Sequence, residues 1–219
     1  MAVNRLLPLS GIVFVALLLL AVIGIGGDTP DSNAPGAEVA SFYDEENVRQ
    51  GLGAFVLAAA VPFLLFFAAS LAGFAWPAEL VSRVIWRRVL LGGSIILGAS
   101  IMGLALVHFA LADAADQGLS PAALEALNAL DGNAWISANA SLGVMMLGAA
   151  GWLLGRVGAY GWLGWTALIF GIALFIPFAD FFALVLSLVW IIVASVMLYR
   201  DDPIAQRHEV VTTPASRGA

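Results

Sequence analysis

Apolar residues fall into six long blocks that are separated by shorter polar stretches. The blocks cover residues 8–27, 51–76, 89–112, 135–155, 162–178 and 181–199. A helix needs about 20 mostly apolar residues to cross a hydrocarbon layer of about 30 Å. The pattern therefore predicts an all-α polytopic membrane protein, with a bundle of six transmembrane helices in residues 1–200. Residues 201–219 have no sustained apolar period and are predicted to form a mobile tail.

The fifth and sixth blocks form one apolar run that is interrupted only at Pro177 and Asp180. One long broken helix is the alternative to two spans. The run is about twice the length of a single span, and proline and aspartate suit a turn that faces water. Two separate spans are therefore predicted, with a turn at this point.

Short amphipathic helices are predicted in the two long loops that share one side of the membrane. Ala37 to Gln50 should be helical, lying on the membrane surface or leading directly into the second span. In the other loop, Ser120 suits an N-cap, Pro121 a first helical residue and Gly132 a C-terminal stop. These signals predict a second helix from Pro121 to Asp131, whose leucines rest on the mouth of the bundle as a lid.

Composition and the positions of the arginines agree with this class. Apolar residues make up 62% of the chain and charged residues 11%, with a mean hydropathy of +0.98, outside the range of soluble domains. All nine basic side chains are arginine, and the six-span threading leaves only Arg49 on the side opposite the other eight. The positive-inside rule then predicts cytoplasmic termini in a multi-pass protein of the cell membrane. A cleavable signal peptide beginning near Arg5 is the less favoured alternative for the first block.

The predicted topology also separates the two signs of charge. Eleven of the fifteen acidic residues face outwards and form a rim that would attract cations or basic partners. On the inner side, Arg83, Arg87 and Arg88 are candidate contacts for lipid phosphates, although membrane orientation accounts for them without a ligand. Membrane lipids are expected partners and nucleic acid is not. Small-residue faces, such as Ser94 with Gly98, would also allow a homo-oligomer.

Polar residues at the outer ends of the spans form one candidate pocket. His108 lies about one turn inside the third span, at a depth similar to Asn139 on the fourth, and Asp113, Asp116 and Asp180 are predicted at the same mouth. Such groups could ligate a divalent cation, accept a proton or orient a head group. The structural alternative is a buried His108 bonded to Asn139 or to a backbone carbonyl. No metal is assigned and no cofactor is predicted, because the spans offer no second histidine for haem and the chain has no cysteine.

Three segments carry a resemblance to a known group of proteins. They are the acidic loop GDTPDSNAPGAEVASFYDEEN, the stretch HFALADAADQGLSPAALEALNALDGN before the fourth span, and the closing LGWTALIFGIALFIPFADFFALVLSLVWIIV. Together with the N-terminal span, they resemble small, functionally uncharacterised actinobacterial integral membrane proteins with six spans. The resemblance covers most of the chain and implies the same topology, and it implies no catalytic residue.

Three classes of function are compatible with the sequence. Phosphate-binding loops, dinucleotide fingerprints, zinc-protease motifs and serine-hydrolase motifs do not occur in it, which favours a non-enzymatic structural, accessory or sensory membrane protein. A small transporter or channel is the first alternative, with a kink at Pro62 and the polar pocket framing a path. A lipid-active or metal-dependent enzyme around His108 is the second.

Overall fold

Helices account for all regular secondary structure in residues 6–74, 81–154 and 158–200, the part of the chain that this computed structural model describes. In chain order they are α1, Leu7–Gly26; α2, Gly36–Gly73; α3, Val81–Asp116; α4, Pro121–Asn133; α5, Trp135–Leu153; α6, Ala159–Ala173; and α7, Asp180–Arg200. Within α1, a 3-10 turn at Leu7–Leu9 precedes the α-helix, and π-helical turns follow it over Leu20–Gly26. The predicted all-α bundle is confirmed, while the predicted tail lies outside the described residues.

Within the described residues, five helical stretches are long and apolar enough to cross a membrane. They are Leu7–Gly26, Gly36–Gly73, Val84–Asp116, Pro121–Leu153 and Asp180–Arg200. The remaining apolar helix, α6, has 15 residues and is about 22 Å long at 1.5 Å per residue, less than the thickness of a typical hydrocarbon layer. The fold is therefore that of a helical membrane protein with five long apolar helices and one shorter one.

Apart from α4, the helices form a closed ring in which each helix packs against the next. Contacts follow the order α1, α2, α3, α5, α6, α7, and α7 returns to α1. Neighbours in the ring run antiparallel: between α3 and α5, for example, Ser100 bonds Ser141 while Trp86 lies against Gly151. The C-terminal end of α2 at Gly73 and the helix α4 therefore lie at opposite ends of the bundle. We call the end where α4 lies the capped end.

Close helix contacts depend on glycine at the interface between α3 and α5. A Cβ atom added at Gly93 would lie 2.5 Å from the Met145 backbone nitrogen, and one at Gly148 would overlap the backbone of Leu90. Such contacts allow helix backbones to approach without a hydrophobic driving force from lipid. Gly98, one of the small residues noted in the sequence, faces Val61 inside the bundle. The bundle itself thus uses this small-residue face, and a homo-oligomer stays a prediction.

The predicted turn between the last two spans is confirmed, and Pro177 explains where it begins. The ring of a proline clashes with the carbonyl four residues earlier and cannot donate to it. That carbonyl belongs to Ala173, the last residue of α6. The next helix begins at Asp180, one residue before the predicted span, and Phe178 between the two helices has a positive φ of 70°. Trp190 of α7 then donates to the Leu163 carbonyl at 3.0 Å, so α6 and α7 pack as a hairpin.

Both predicted loop helices are present, and they form a second core at the capped end. The helix predicted from Ala37 to Gln50 leads directly into the following span as one continuous α2. Val39 and Tyr43 in its first turns are fully buried against Leu111 of α3 and Leu124 of α4. The Asn128 amide adds a hydrogen bond of 2.7 Å to the Asp31 carbonyl in the loop before α2. The lid is thus packed on α2 and α3 through its own hydrophobic cluster.

One predicted helix boundary is corrected. Ser120 occupies the N-cap position and Pro121 the first turn of α4, as predicted, although the serine side chain makes no capping hydrogen bond. Gly132 does not stop the helix, which continues to Asn133 and is followed at once by α5. The reason lies in tertiary packing: a Cβ atom at Gly132 would be 2.6 Å from the Ser32 side chain. Glycine is needed at this position for close approach and not for a left-handed turn.

Substitution of Leu124 tests whether α4 is docked. Leu124 is 1% exposed, and Leu124→Asp should lower the stability of the cap by about 2 kcal/mol because a carboxylate would replace a buried apolar side chain. Thermal unfolding and limited proteolysis within α4 measure the effect in purified protein. Leu130 on the same helix is 54% exposed, so Leu130→Asp serves as the matched control. Equal effects of the two substitutions would contradict docking.

Candidate functional site

A hydrogen-bonded cluster at the capped end joins four parts of the fold. His108 of α3 lies between two partners: its Nε2 is 2.8 Å from Oε1 of Gln50 in α2, and its Nδ1 is 3.1 Å from Oδ2 of Asp131 in α4. The Gln50 side chain is fully buried and its Nε2 donates to the carbonyl of Gly26, at the end of α1, at 2.9 Å. We call these residues the His108 cluster.

The amide of Gln50 fixes one proton on the imidazole. A backbone carbonyl can only accept a hydrogen bond, so the group that faces Gly26 must be the amide nitrogen of Gln50. The amide oxygen then faces His108 and can only accept. Nε2 of His108 must therefore carry a proton and donate it to Gln50. This assignment depends only on which groups can donate and does not require the position of any hydrogen atom.

The contact with Asp131 requires a second proton. If Nε2 of a neutral imidazole is protonated, Nδ1 is an acceptor, and an ionised carboxylate is also an acceptor. Two acceptors at 3.1 Å make no hydrogen bond. A bond forms when the pair holds one additional proton, either as an imidazolium facing a carboxylate or as a neutral imidazole facing a carboxylic acid. The side chains of His108 and Asp131 are only 16% and 13% exposed, and a separation of 3.1 Å leaves no room for a water molecule between the two atoms.

Tyr43 adds a third polar group to the His108 cluster. Its ring meets the imidazole edge to face, with centroids 6.0 Å apart. Tyr43 precedes the span predicted at residues 51–76, and burial, followed by the charge of Asp131, raises the pKa of its hydroxyl above the ordinary value. The phenol therefore stays a hydrogen-bond donor. The Tyr43 hydroxyl and Oδ1 of Asp131 are both buried without a partner among the described residues.

A cavity of about 100 Å³ lies beside this cluster, between α1, α2, α3 and the start of α5. His108 and Asp131 form its polar wall, whereas Leu57 and Leu104 form an apolar one. A cavity needs on the order of 10–15 Å³ of such volume to hold one water molecule, so the space is sufficient for several waters or one small solute. The histidine and the aspartate thus face a space that can hold a small polar molecule.

The structure corrects the predicted partner of His108. Asn139 lies on α5 and its Nδ2 donates to Oδ2 of Asp180 at 3.3 Å, at the start of α7. His108 instead bonds Gln50 and Asp131. The sequence placed His108 and Asn139 at one depth, but depth does not determine which neighbouring helix a side chain faces. The pair of Asn139 and Asp180 is a separate contact.

The remaining candidate carboxylates lie on the other side of α3. Oδ2 of Asp113 accepts from Gln117 at 2.7 Å, and Oδ1 of Asp116 accepts from Asn47 at 2.8 Å. Neither joins the His108 cluster. Among the residues that the structure describes, no group of three or more histidine, aspartate or glutamate side chains could hold a metal ion. A divalent-cation site at His108 therefore gains no support from this geometry.

The cluster contains three residues that sequence reasoning did not select. In the sequence, Asp131 ends the predicted lid helix, Gln50 ends the other predicted loop helix, and Tyr43 lies within that second helix. A signal existed for Gln50, a polar amide directly before a long apolar block. The signal for Asp131 was weaker, because its burial depends on how α4 docks. Its role emerges only when the helices are assembled.

The predicted lipid-phosphate contacts lie at the end of the bundle opposite the cap. Arg87 is half-buried, and its Nε is buried with no hydrogen-bond partner among the described residues. Arg88 is exposed. The side chain of Arg83 lies outside the described part of the chain. Contact of these arginines with lipid phosphate stays a prediction.

Comparison with known proteins adds no relative. The chain matches no family model, no curated protein and no solved structure at a significant level. The fold alone therefore defines the class of protein, a bundle of apolar helices that is suited to a membrane. The resemblance to actinobacterial six-span proteins remains a prediction, and the function must be argued from the site.

Replacement of Gln50 tests whether the cluster holds the capped end together. Gln50→Leu should destabilise the protein by about 3 kcal/mol, because it leaves Nε2 of His108 and the Gly26 carbonyl without their buried partner. Thermal or denaturant unfolding in detergent measures the change. Gln117→Leu is the matched control, since Gln117 makes one exposed bond to Asp113 and should cost less than about 1 kcal/mol. A Gln50→Leu protein as stable as the control would contradict this role.

Proposed function

We propose that this chain is a non-enzymatic, sensory integral membrane protein that responds to protons at its capped end. The observation that carries the proposal is the facing pair of Nδ1 of His108 and Oδ2 of Asp131, 3.1 Å apart. With the Nε2 proton committed to Gln50, this contact is a bond in one protonation state and a repulsion in the other. Histidine is the side chain whose charge ordinarily changes near neutral pH.

The mechanism follows from which parts the pair connects. Asp131 belongs to α4, and His108 to a long helix of the bundle, so the shared proton links the cap to the membrane-spanning part. Loss of the proton leaves two acceptors in contact within a largely buried site, where the cost of an unsatisfied polar group is high. The apolar contacts of Leu124 favour the docked position at every pH. The proton therefore changes the balance between docked and released positions of α4.

The number of protons that each state binds determines the direction of the response to pH. The docked state binds one more proton than a released state in which the imidazole is neutral and the carboxylate ionised. By linkage, the state that binds more protons is favoured at low pH and disfavoured as the pH rises. Around His108, α2 contributes neutral Tyr43 and Gln50, α4 contributes Asp131, and the ends of α1 and α5 contribute Gly26 and Trp135, which do not titrate. Acid should therefore dock the cap, and base should loosen it.

The proposed orientation places the capped end outside the cell. Alternating antiparallel helices would bring eight arginines to the other end in a six-span arrangement, which favours a cytoplasmic location for that end and for both termini. In this arrangement α6 crosses despite its length of 15 residues, by drawing the membrane thinner or by using its flanking turns. The His108 cluster would then sense the external medium.

Measurement of cap docking against pH tests the proposed function. The protein has no cysteine, so Leu124→Cys introduces a single buried reporter, and Leu130→Cys gives an exposed reference for the intrinsic pH dependence of thiol labelling. The labelling rate of Cys at 124 divided by that at 130 should rise about tenfold between about pH 5 and about pH 9.

The sharpest control is Asp131→Asn. An asparagine amide can donate to Nδ1 of a neutral imidazole, so this bond no longer needs the additional proton. The labelling ratio should then stay low and nearly constant across the same range. Asp113→Asn removes a carboxylate outside the cluster and should behave like the unmodified protein. A ratio that is flat in the unmodified protein, or a pH response that persists in Asp131→Asn, would refute the proposal.

Labelling of intact cells tests the proposed orientation. Single cysteines at Ser41 and Ser120, which lie at the capped end, should react with a membrane-impermeant thiol reagent added outside. A cysteine at Ser216 should react only after the cells are permeabilised. Reaction at Ser216 in intact cells, together with protection of Ser41, would show that the orientation is reversed.

A further inference from the structure

A groove runs between α2 and α3 on the side that faces away from the His108 cluster. Near the capped end it widens to a cavity of about 370 Å³, whose lining includes Asn47, Asp113 and Asp116. Below this lies a second cavity of about 200 Å³. Phe55 and Phe109 line both cavities, so the two are continuous parts of one surface. We call this surface the α2–α3 groove.

The lower part of the α2–α3 groove is suited to hydrocarbon. Its walls consist of apolar side chains, including Met102, Leu106 and Phe109 of α3 and Phe55 of α2. Leu106 and Phe55 are 68% and 64% exposed, and the two phenylalanine rings meet edge to face at 5.3 Å. In a helix long and apolar enough to cross a membrane, such a face is in contact with acyl chains.

The upper part of the α2–α3 groove carries two negative charges. Asp113 and Asp116 each accept a hydrogen bond through one carboxylate oxygen, from neutral Gln117 and Asn47. The nearest basic residue along α2 is Arg49, which forms an ion pair of 2.8 Å with Glu46. Its guanidinium lies within 4 Å of the position that a Cβ atom would take at Gly27, on the α1 side of the helix. No arginine lines the described groove, so its charge is complementary to a cation.

The dimensions match a single lipid in one leaflet. Met102 and Asp113 are 11 positions apart on one helix, which corresponds to about 16 Å. Half of a hydrocarbon layer of about 30 Å has nearly the same depth. An acyl chain that follows the lower cavity thus brings its head group to the level of the two carboxylates. The surface combines an apolar path with a charged end at the distance that an amphiphile requires.

We propose that the α2–α3 groove binds a phospholipid with a primary ammonium head group, of the phosphatidylethanolamine type. The ammonium lies between Asp113 and Asp116 and donates hydrogen bonds to their free oxygens, and one acyl chain follows Phe55, Leu106 and Met102. A quaternary ammonium lacks the N–H donors for these bonds, and an anionic head group is repelled by the carboxylates. The site is distinct from the His108 cluster and does not depend on its function.

Lipid retention by the purified full-length protein tests this proposal. The protein in mild detergent is incubated with equal amounts of phosphatidylethanolamine, phosphatidylcholine and phosphatidylglycerol of matched acyl chains, and the bound lipid is measured by native mass spectrometry. Phosphatidylethanolamine should be retained about fivefold over the other two, as expected for two partly exposed ion pairs. Equal retention of all three would show ordinary annular lipid only and would overturn the proposal. This comparison needs no variant.

A pair of double variants identifies the groups responsible. Asp113→Asn with Asp116→Asn removes both charges but keeps an oxygen acceptor for Gln117 and Asn47, so the preference should fall to nearly one. Asp44→Asn with Glu125→Gln removes the same charge from exposed residues that do not line the groove, and the preference should be unchanged. Loss of preference in the second pair, or its survival in the first, would assign the effect to net charge or to another surface.

Discussion

The exclusion of water from a hydrocarbon layer is the constraint on which the rest of this structure depends. Backbone groups must find their partners within the helices, so the apolar blocks form antiparallel rods. The last carbonyls of a helix have no partner in it and must be satisfied by other groups. Buried side chains do this at two helix ends in the described residues: Gln50 donates to the carbonyl of Gly26 at the end of α1, and Trp152 to that of Leu71 near the end of α2. The positions of the polar side chains thus determine which helix ends are joined.

Much of the architecture could be predicted because it depends on local physical rules. Apolar length gives the spans, and the proline at 177 gives the end of α6 through its clash with the Ala173 carbonyl. The start of α4 follows equally from Pro121. These features require no knowledge of which helices are neighbours. These local rules give the wrong boundary at Gly132, where a glycine allows close packing against Ser32.

The sequence predicted the position of His108 along its helix, but it did not predict which neighbouring helices the side chain faces. The sequence placed His108 at the correct end of α3 and identified it as the ionisable group within the spans that called for a polar partner. Successive side chains on a helix point 100° apart, so the helix that each side chain faces is known only when all the helices are assembled. The assembled bundle and its cap place α2 and α4 beside His108, and α7 beside Asn139. Asp131 could enter the site only because an apolar face elsewhere on α4 docks the whole helix.

The two features proposed here share the wall between α2 and α3. His108 and Phe109 are successive residues, so one points towards the buried cluster and the other into the α2–α3 groove. Ala54 lines both the cavity beside the cluster and the apolar part of the groove. The spacing of α2 and α3 therefore sets the width of both spaces at once. The Gln50 bond to His108 crosses this same interface. The two sites are chemically separate and share the packing of α2 against α3.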